Sequence, residues 1–224
     1  MYYVGVDEAG RGSLIGEMMV GVAAVKADML SYLEDLGVRD SKELSPISRE
    51  RIYREVSRLV PFVVVPVKPR EIDSDNLGVV TKKAIIKGLR MLSRRIEPFQ
   101  VKRIAIDRFG KERDIRLAIR RIGYTRADIV IEEKADRKYL EVSLASIIAK
   151  YVRDKRVNII NRMFGLTGSG YPSDEDTINS LAALLSESSI DRLNGYIRLT
   201  WSTLEKLGIK PLSKRKTRSL DEFF

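Results

Sequence analysis

Short β-branched runs alternate along the chain with longer segments whose apolar residues recur every three or four positions, the pattern of an α/β protein. The first run, Tyr2 to Val6, predicts a strand that stops at two adjacent carboxylates, Asp7 and Glu8, before a loop opened by Gly10 and Gly12. Leu14 to Val25 predicts one or two more strands, most economically in a hairpin with the first. Met29, Leu30, Leu33 and Leu36 have helical spacing and stop at Gly37. Ser45 and Pro46 open a helix to about Leu59, with Ile47, Ile52, Val56 and Leu59 as its apolar side. A strand over Phe62 to Val67, a loop over Pro69 to Asn76 and a long amphipathic helix over Val79 to Ile96 follow. Val101 to Ile106 and Ala127 to Ile131 predict two strands, separated by a short basic helix over Asp114 to Ile122. A helix of about 25 residues runs from Asp136 through Met163.

Two strands share one grammar: Val-Gly-Val-Asp ends at Asp7, and Ile-Ala-Ile-Asp ends at Asp107. If they are parallel neighbours, their aspartates meet at the carboxyl edge, where open α/β sheets bind ligands. Asp107 also reads as a plain loop opener, and Asp7 with Glu8 as the solvated end of a strand. Side chains alternate along a strand, so Asp7 and Glu8 serve one ion only if regular pairing ends there, or if Glu8 also offers its backbone oxygen. Gly10-Arg11-Gly12 sets a permanent cation between two residues without Cβ, letting backbone N–H groups approach a phosphate or a sugar hydroxyl closely. The spacing of Gly5 and Gly10 suggests a P-loop, but Arg11-Gly12-Ser13 stands where Gly-Lys-Ser/Thr is required, and the two acids have the wrong sign for phosphates. Asp136 reads as a helix N-cap; it also lines up along one helical face with Ser143, Ser146, Lys150 and Asp154.

Composition narrows the chemistry. The 224 residues hold no cysteine and no histidine, which removes disulfides, Cys- or His-bound metals, the serine triad and the commonest general base. A metal here is hard and oxygen-bound. The longest apolar segment, Leu14 to Val25, is interrupted by Glu17 and too short to span a bilayer, and with no basic leader before it the expectation is a cytoplasmic protein. Lys and Arg number 41 against 31 acids, a net +10 with a pI near 9.7. That excess suits a polyanionic partner, or a surface dense in ion pairs. From Gly165 the chain turns to Gly-Leu-Thr-Gly-Ser-Gly-Tyr171-Pro-Ser-Asp, then to helices near Thr177 to Leu185 and Trp201 to Leu207. The division expected is residues 1–164 as the main domain, 165–208 as a small helical subdomain and 209–224 as a basic tail. That tail ends in Leu220-Asp-Glu-Phe223-Phe224, apolar residues better housed in a partner's pocket than in water.

The segments Asp7-Glu8-Ala-Gly10-Arg11-Gly12, Asp40-Ser41-Lys42 and Ile106-Asp107, with Lys134-Ala-Asp136, Val142-Ser143 through Ser146 to Lys150 and Gly168-Ser-Gly-Tyr171-Pro-Ser-Asp, resemble ribonuclease HII in its archaeal form. The resemblance runs in order from residue 2 to about 205 and implies a ribonuclease H-like mixed sheet flanked by helices, with a C-terminal helical subdomain. It implies cleavage of the RNA strand of RNA–DNA hybrids, and of single ribonucleotides embedded in duplex DNA, by two-metal-ion hydrolysis. Carried over by position, Asp7, Glu8, Asp107 and Asp136 are the catalytic acids that hold Mg²⁺ or Mn²⁺; Gly10, Arg11 and Gly12 sense the 2′-hydroxyl; Tyr171 stacks on a sugar; and Lys42, Ser146 and Lys150 hold phosphates. Ser13 stands where the family commonly has proline, which leaves the loop freer, and the bacterial His-containing motif is absent. Leu220, Phe223 and Phe224 resemble a sliding-clamp-binding peptide, with Thr217 where glutamine is usual.

Two rivals stand beside this reading. Val-Gly-Val-Asp-x-x-Gly also resembles the first phosphate loop of actin-like sugar kinases and ATPases, but no second glycine-rich Asp loop follows. A non-catalytic, basic duplex-binding protein would share the charge and need none of the acids.

Overall fold

The computed structural model describes residues 1–38, 44–109, 113–187 and 190–213. Its frame is a five-stranded sheet of β1 (Tyr2–Ala9), β2 (Met18–Lys26), β3 (Phe62–Val67), β4 (Val101–Asp107) and β5 (Asp128–Glu132), in the order β3-β2-β1-β4-β5. β1, β2 and β3 form an antiparallel meander, whereas β4 and β5 run parallel to β1. The helices among the described residues are α1 (Leu30–Asp35), α2 (Pro46–Val56), α3 (Pro69–Ser74), α4 (Leu77–Leu92), α5 (Arg113–Arg121), α6 (Ala135–Lys138), α7 (Leu140–Phe164) and α8 (Glu175–Glu187). A 3₁₀ turn over Ser202–Leu207 follows them.

One face of the sheet, with Val4, Val6, Val20, Val22, Ile104 and Ile106, packs on α4 through Ile85 and Leu89. The other carries α7, which lies close because two strand residues lack side chains. A Cβ on Gly5 would sit 2.0 Å from the Glu141 carbonyl oxygen, and one on Gly21 would sit 2.5 Å from that of Ala145. This close approach of helix to strand brings the middle of α7 over the end of β1. A separate apolar cluster joins Leu14 and Ile15 after β1, Ile160 at the end of α7, and Leu181, Leu193 and Ile197 from the C-terminal segment. The C-terminal helices are thereby tied to the loop that follows the first strand.

Several expectations needed correction. Pro69 to Asn76 is mostly helix: Pro69 starts α3, and Glu71 reaches back to the Lys68 N–H at 2.8 Å. The apolar side expected for α2 is only half right, since Ile52 and Val56 are fully buried but Ile47 is 83% and Leu59 49% exposed. The helix expected from Asp136 onward is two helices broken at Tyr139, whose backbone is extended. Asp136 is therefore not an N-cap. Lys134 holds that position with a left-handed φ of 57°, and Asp136 lies inside the first turn. The break also takes Asp136 out of register with the polar face of α7. On that face Ser143 is buried and donates to the Val38 carbonyl, and Asp154 pairs with Arg49 at 2.9 Å.

Candidate active site

The site begins with strand register. β1 and β4 pair in parallel as far as Val6 opposite Ile106, so the next residues, Asp7 and Asp107, emerge side by side at the carboxyl edge of the sheet. On its other side β1 keeps its antiparallel pairing with β2 as far as Ala9 opposite Met19. Regular pairing thus ends on one side only, and Asp7 and Glu8 keep to opposite faces. Asp7 shares the α7 face with Gly5, and Glu8 shares the α4 face with Val6. Asp107, one residue past the α4-facing Ile106, shares the α7 face with Asp7, and its charge raises both Asp7 and Glu8.

Burial is the main electrostatic fact. Asp7 is 9% exposed, and desolvation pushes its carboxyl up from 3.8 to about 7, with the charges of Glu8 and Asp107 adding. The neighbouring Ser146 hydroxyl and the Glu8 N–H, which donates to Asp7 Oδ1 at 2.8 Å, pull the other way. Ser146 is close enough to Asp7 to be felt, yet its hydroxyl is not aligned on any acceptor among the described residues. Burial also raises Glu8, against the opposing pull of Arg11. The Arg11 guanidinium bridges Glu8 Oε1 at 3.0 Å and the Phe109 carbonyl at 2.9 Å, fastening the first loop to the loop after β4. Asp107 Oδ1 accepts the Ala135 N–H at 2.8 Å, which ties it to the turn carrying the buried Asp136.

Among the described residues no three acids already close into a finished metal cage. What the fold supplies is a set of oxygen donors, three of them in mutual electrostatic contact and the fourth on a turn bonded to one of those three. Buried carboxylates driven up by desolvation and by each other fit a hard divalent cation, which would relieve both penalties.

Beside the acids lies the Gly10–Ser13 turn, closed by the Ser13 N–H on the Gly10 carbonyl at 3.3 Å. Ser13 does not free this loop. It is fully buried, its single hydroxyl proton shared between the Ile15 and Gly170 carbonyls at 2.5 and 3.0 Å, and it accepts from Arg153 at 2.9 Å. The same Gly170 carbonyl takes the Leu14 and Ile15 N–H groups, so the Tyr171 loop is zipped to the first loop. Tyr171 is half-buried, with the Arg153 guanidinium 4.4 Å from its ring centre. Tyr171, Arg153, Lys150, Arg49, Asp154 and Ala9 line a cleft of about 460 Å³. None of the four acids lines a second cleft of about 510 Å³ between α4 and α5, bounded by Lys82, Lys87, Arg90, Ile86 and Ile115 among others, and none lines the Tyr171 cleft.

Of the residues singled out from sequence, Lys150 and Tyr171 reach this cleft, and Ser146 does not. Ser146 is fully buried against Asp7 because α7 lies so close to β1, which places it behind the carboxylate instead of on a phosphate. Lys42, Leu220, Phe223 and Phe224 lie outside the described residues. Sequence reading missed Arg153 and Arg198. Arg153 had a faint signal, three residues beyond Lys150 on the same helix; Arg198, between Ile197 and Leu199, had none.

Comparison with known proteins settles the family. The model for ribonuclease HII matches residues 4–204. The chain belongs to the ribonuclease HII family. The ribonuclease HII of Aeropyrum pernix is 44% identical over 98% of this chain and 97% of its own length. Among solved structures, the ribonuclease H2 of Pyrococcus horikoshii OT3 superposes with a TM-score of 0.78 at 33% identity, covering 92% of this chain and 97% of that one. The RNase HII of Archaeoglobus fulgidus, solved as a complex with PCNA, superposes with a TM-score of 0.74 at 28% identity over the whole of both chains. As a ribonuclease HII, this chain is a metal-binding endonuclease of ribonuclease H activity, which sets aside the kinase-like and purely binding alternatives. No helix among the described residues is long and apolar enough to cross a membrane.

Proposed function

We propose that this ribonuclease HII cuts both the RNA strand of RNA–DNA hybrids and single ribonucleotides embedded in duplex DNA, leaving 3′-hydroxyl and 5′-phosphate ends. Asp7, Glu8, Asp107 and Asp136 would hold two Mg²⁺ or Mn²⁺ ions. The observation that carries the reading is the pairing of Val6 with Ile106, which sets two aspartates at adjacent strand ends beside the Gly10–Ser13 turn. Bound there, divalent ions would supply activation of water and charge stabilisation at the departing 3′-oxygen. The chain's own residues do the rest. A 2′-hydroxyl is the group that separates ribose from deoxyribose, and the N–H groups around Arg11 and Gly12 can read it without reading a base. Lys150 and Tyr171 line one cleft, which supports a backbone phosphate contact for Lys150 and stacking on a sugar for Tyr171.

The test is a duplex carrying one ribonucleotide, incubated with Mg²⁺, with the cut mapped. A single cut adjacent to the ribonucleotide is expected; cleavage of long hybrids alone would remove the embedded-ribonucleotide half of the proposal. We further propose that Leu220, Phe223 and Phe224 bind a sliding clamp, a reading supported by the PCNA complex of the Archaeoglobus fulgidus relative. Deleting residues 217–224 should weaken clamp binding and spare basal cleavage. Unchanged clamp affinity would refute it. The division into residues 1–164, 165–208 and 209–224 is likewise a proposal, supported by the separate apolar cluster of the C-terminal segment.

A further inference from the structure

Arg198 is fully buried, and its position makes it more than a packing residue. Its backbone N–H bonds to the Leu14 carbonyl at 3.0 Å, fixing where the side chain starts. One guanidinium nitrogen donates to the Arg11 carbonyl at 2.5 Å and the other to the Gly10 carbonyl, while the guanidinium stands 5.0 Å from the Trp201 ring centre. Its Nε has no acceptor among the described residues. Burial and the nearby Arg153 push Arg198 down to about 10, so the fold keeps a cation where desolvation and a like charge both oppose it.

The consequence follows from peptide geometry. No described peptide bond is cis, and in a planar trans peptide the N–H points opposite to the carbonyl of the preceding residue. When the Gly10 and Arg11 carbonyls are both drawn to one buried guanidinium, the N–H groups of Arg11 and Gly12 must both face away from it. These are the central N–H groups of the four-residue turn closed from Ser13 to Gly10, so the turn's own hydrogen bond does not use them. Gly12 is exposed, and a Cβ there would meet nothing within 4 Å, so no other part of the described chain covers the turn at Gly12. Two adjacent amides turned outward form a small concavity for an anion or a hydroxyl.

We propose that Arg198 is the positioning residue for ribose recognition: by pinning the carbonyls of Gly10 and Arg11 from inside, it presents the amides of Arg11 and Gly12 to the 2′-hydroxyl and its neighbouring phosphate. This deepens the function proposed above and rests on it. It also gives the C-terminal segment a task in the chemistry, because the site is incomplete without a side chain contributed from beyond residue 190. Arginine suits this task better than lysine, because its planar fork fixes two carbonyls in one geometry, whereas the donors of a lysine ammonium rotate about a single point.

The test compares the wild type with Arg198→Lys, which keeps the charge and loses the fork. On a duplex with one ribonucleotide, kcat/KM should fall about tenfold or more, chiefly through kcat, while affinity for an all-DNA duplex of the same sequence holds. The backbone amide resonances of Arg11 and Gly12 should move in the variant while those of β3 stay in place. Arg198→Gln, uncharged but still able to donate, supplies the same comparison where lysine is not accommodated. Equal cleavage by the folded variant, or a loss that tracks duplex affinity, overturns the proposal. Unmoved amides do the same. If the wild type itself ignores the ribonucleotide, the function reading fails, and the amide shifts still decide whether Arg198 orients the turn.

Discussion

Two buried charge clusters flank the Gly10–Ser13 turn, and the fold treats them in opposite ways. The guanidiniums of Arg153 and Arg198 are given oxygens by the chain itself: the Ser13 hydroxyl for one, the Gly10 and Arg11 carbonyls for the other. Asp7, Glu8 and Asp107 are set beside one another, and although Arg11 pairs with Glu8 and the Ala135 N–H donates to Asp107, Asp7 is still driven up to about 7, by burial first and then by those neighbours. A buried cation whose terminal nitrogens are bonded to the chain's own oxygens needs no ligand to offset its charge. Buried anions crowded together do need one, and an added cation is the simplest way to complete them. On the proposals above, one half of the site shapes the turn and the other half would hold a metal.

The comparison breaks most sharply at Asp107. Asp107→Asn keeps an oxygen for the Ala135 N–H and so should fold normally, but should lower Mg²⁺-dependent cleavage roughly a thousandfold, on the scale of removing a group that stabilises transition-state charge. Substantial residual nicking by a folded variant would count against its role. On the cationic side, Tyr171→Ala leaves Arg153 without its aromatic neighbour and removes a stacking surface worth about 1–3 kcal/mol. Cleavage at a single embedded ribonucleotide should fall about tenfold, and unchanged rates there would remove Tyr171 from the site.

A smaller effect concerns stability without metal. The Asp7 carboxyl is raised from 3.8 to about 7, so its folded form holds a proton that the unfolded chain has lost. Its contribution to stability is present in full below about 4 and disappears as pH rises through about 7. At full strength that shift is worth about 4 kcal/mol, and relaxation of the site reduces it. Asp7→Asn should therefore raise the Tm of the metal-free protein at pH 8 by a few degrees and change it little at pH 4. A lower Tm at pH 8 would show that the carboxylate is already compensated.

Most of the sheet was legible because each strand is a short β-branched run with turn residues at its ends; Phe62 to Val67 was read with the bounds the structure gives. The meeting of Asp7 and Asp107 was legible from the repeated strand grammar, given parallel neighbours, and β1 and β4 are such neighbours. Three features were not. The break at Tyr139 leaves the apolar spacing on either side intact, so periodicity reads straight through it. The burial of Ser146 depends on how closely α7 approaches Gly5 and Gly21, which pattern cannot supply. Arg198 carried no signal, because a guanidinium bonded to carbonyls about 187 residues away in sequence leaves no local trace.

The central claim is that Asp7 and Asp107 belong to one cation site. Calorimetric titration of the metal-free protein with Mn²⁺ at pH 6.5, in two buffers of different ionisation enthalpy, tests it directly, because a metal displacing the proton from Asp7 must release that proton to the buffer. The account requires proton release in the wild type, its loss in Asp7→Asn, and much weaker Mn²⁺ binding in Asp107→Asn. Tight Mn²⁺ binding without proton release, or with undiminished affinity in Asp107→Asn, would contradict it.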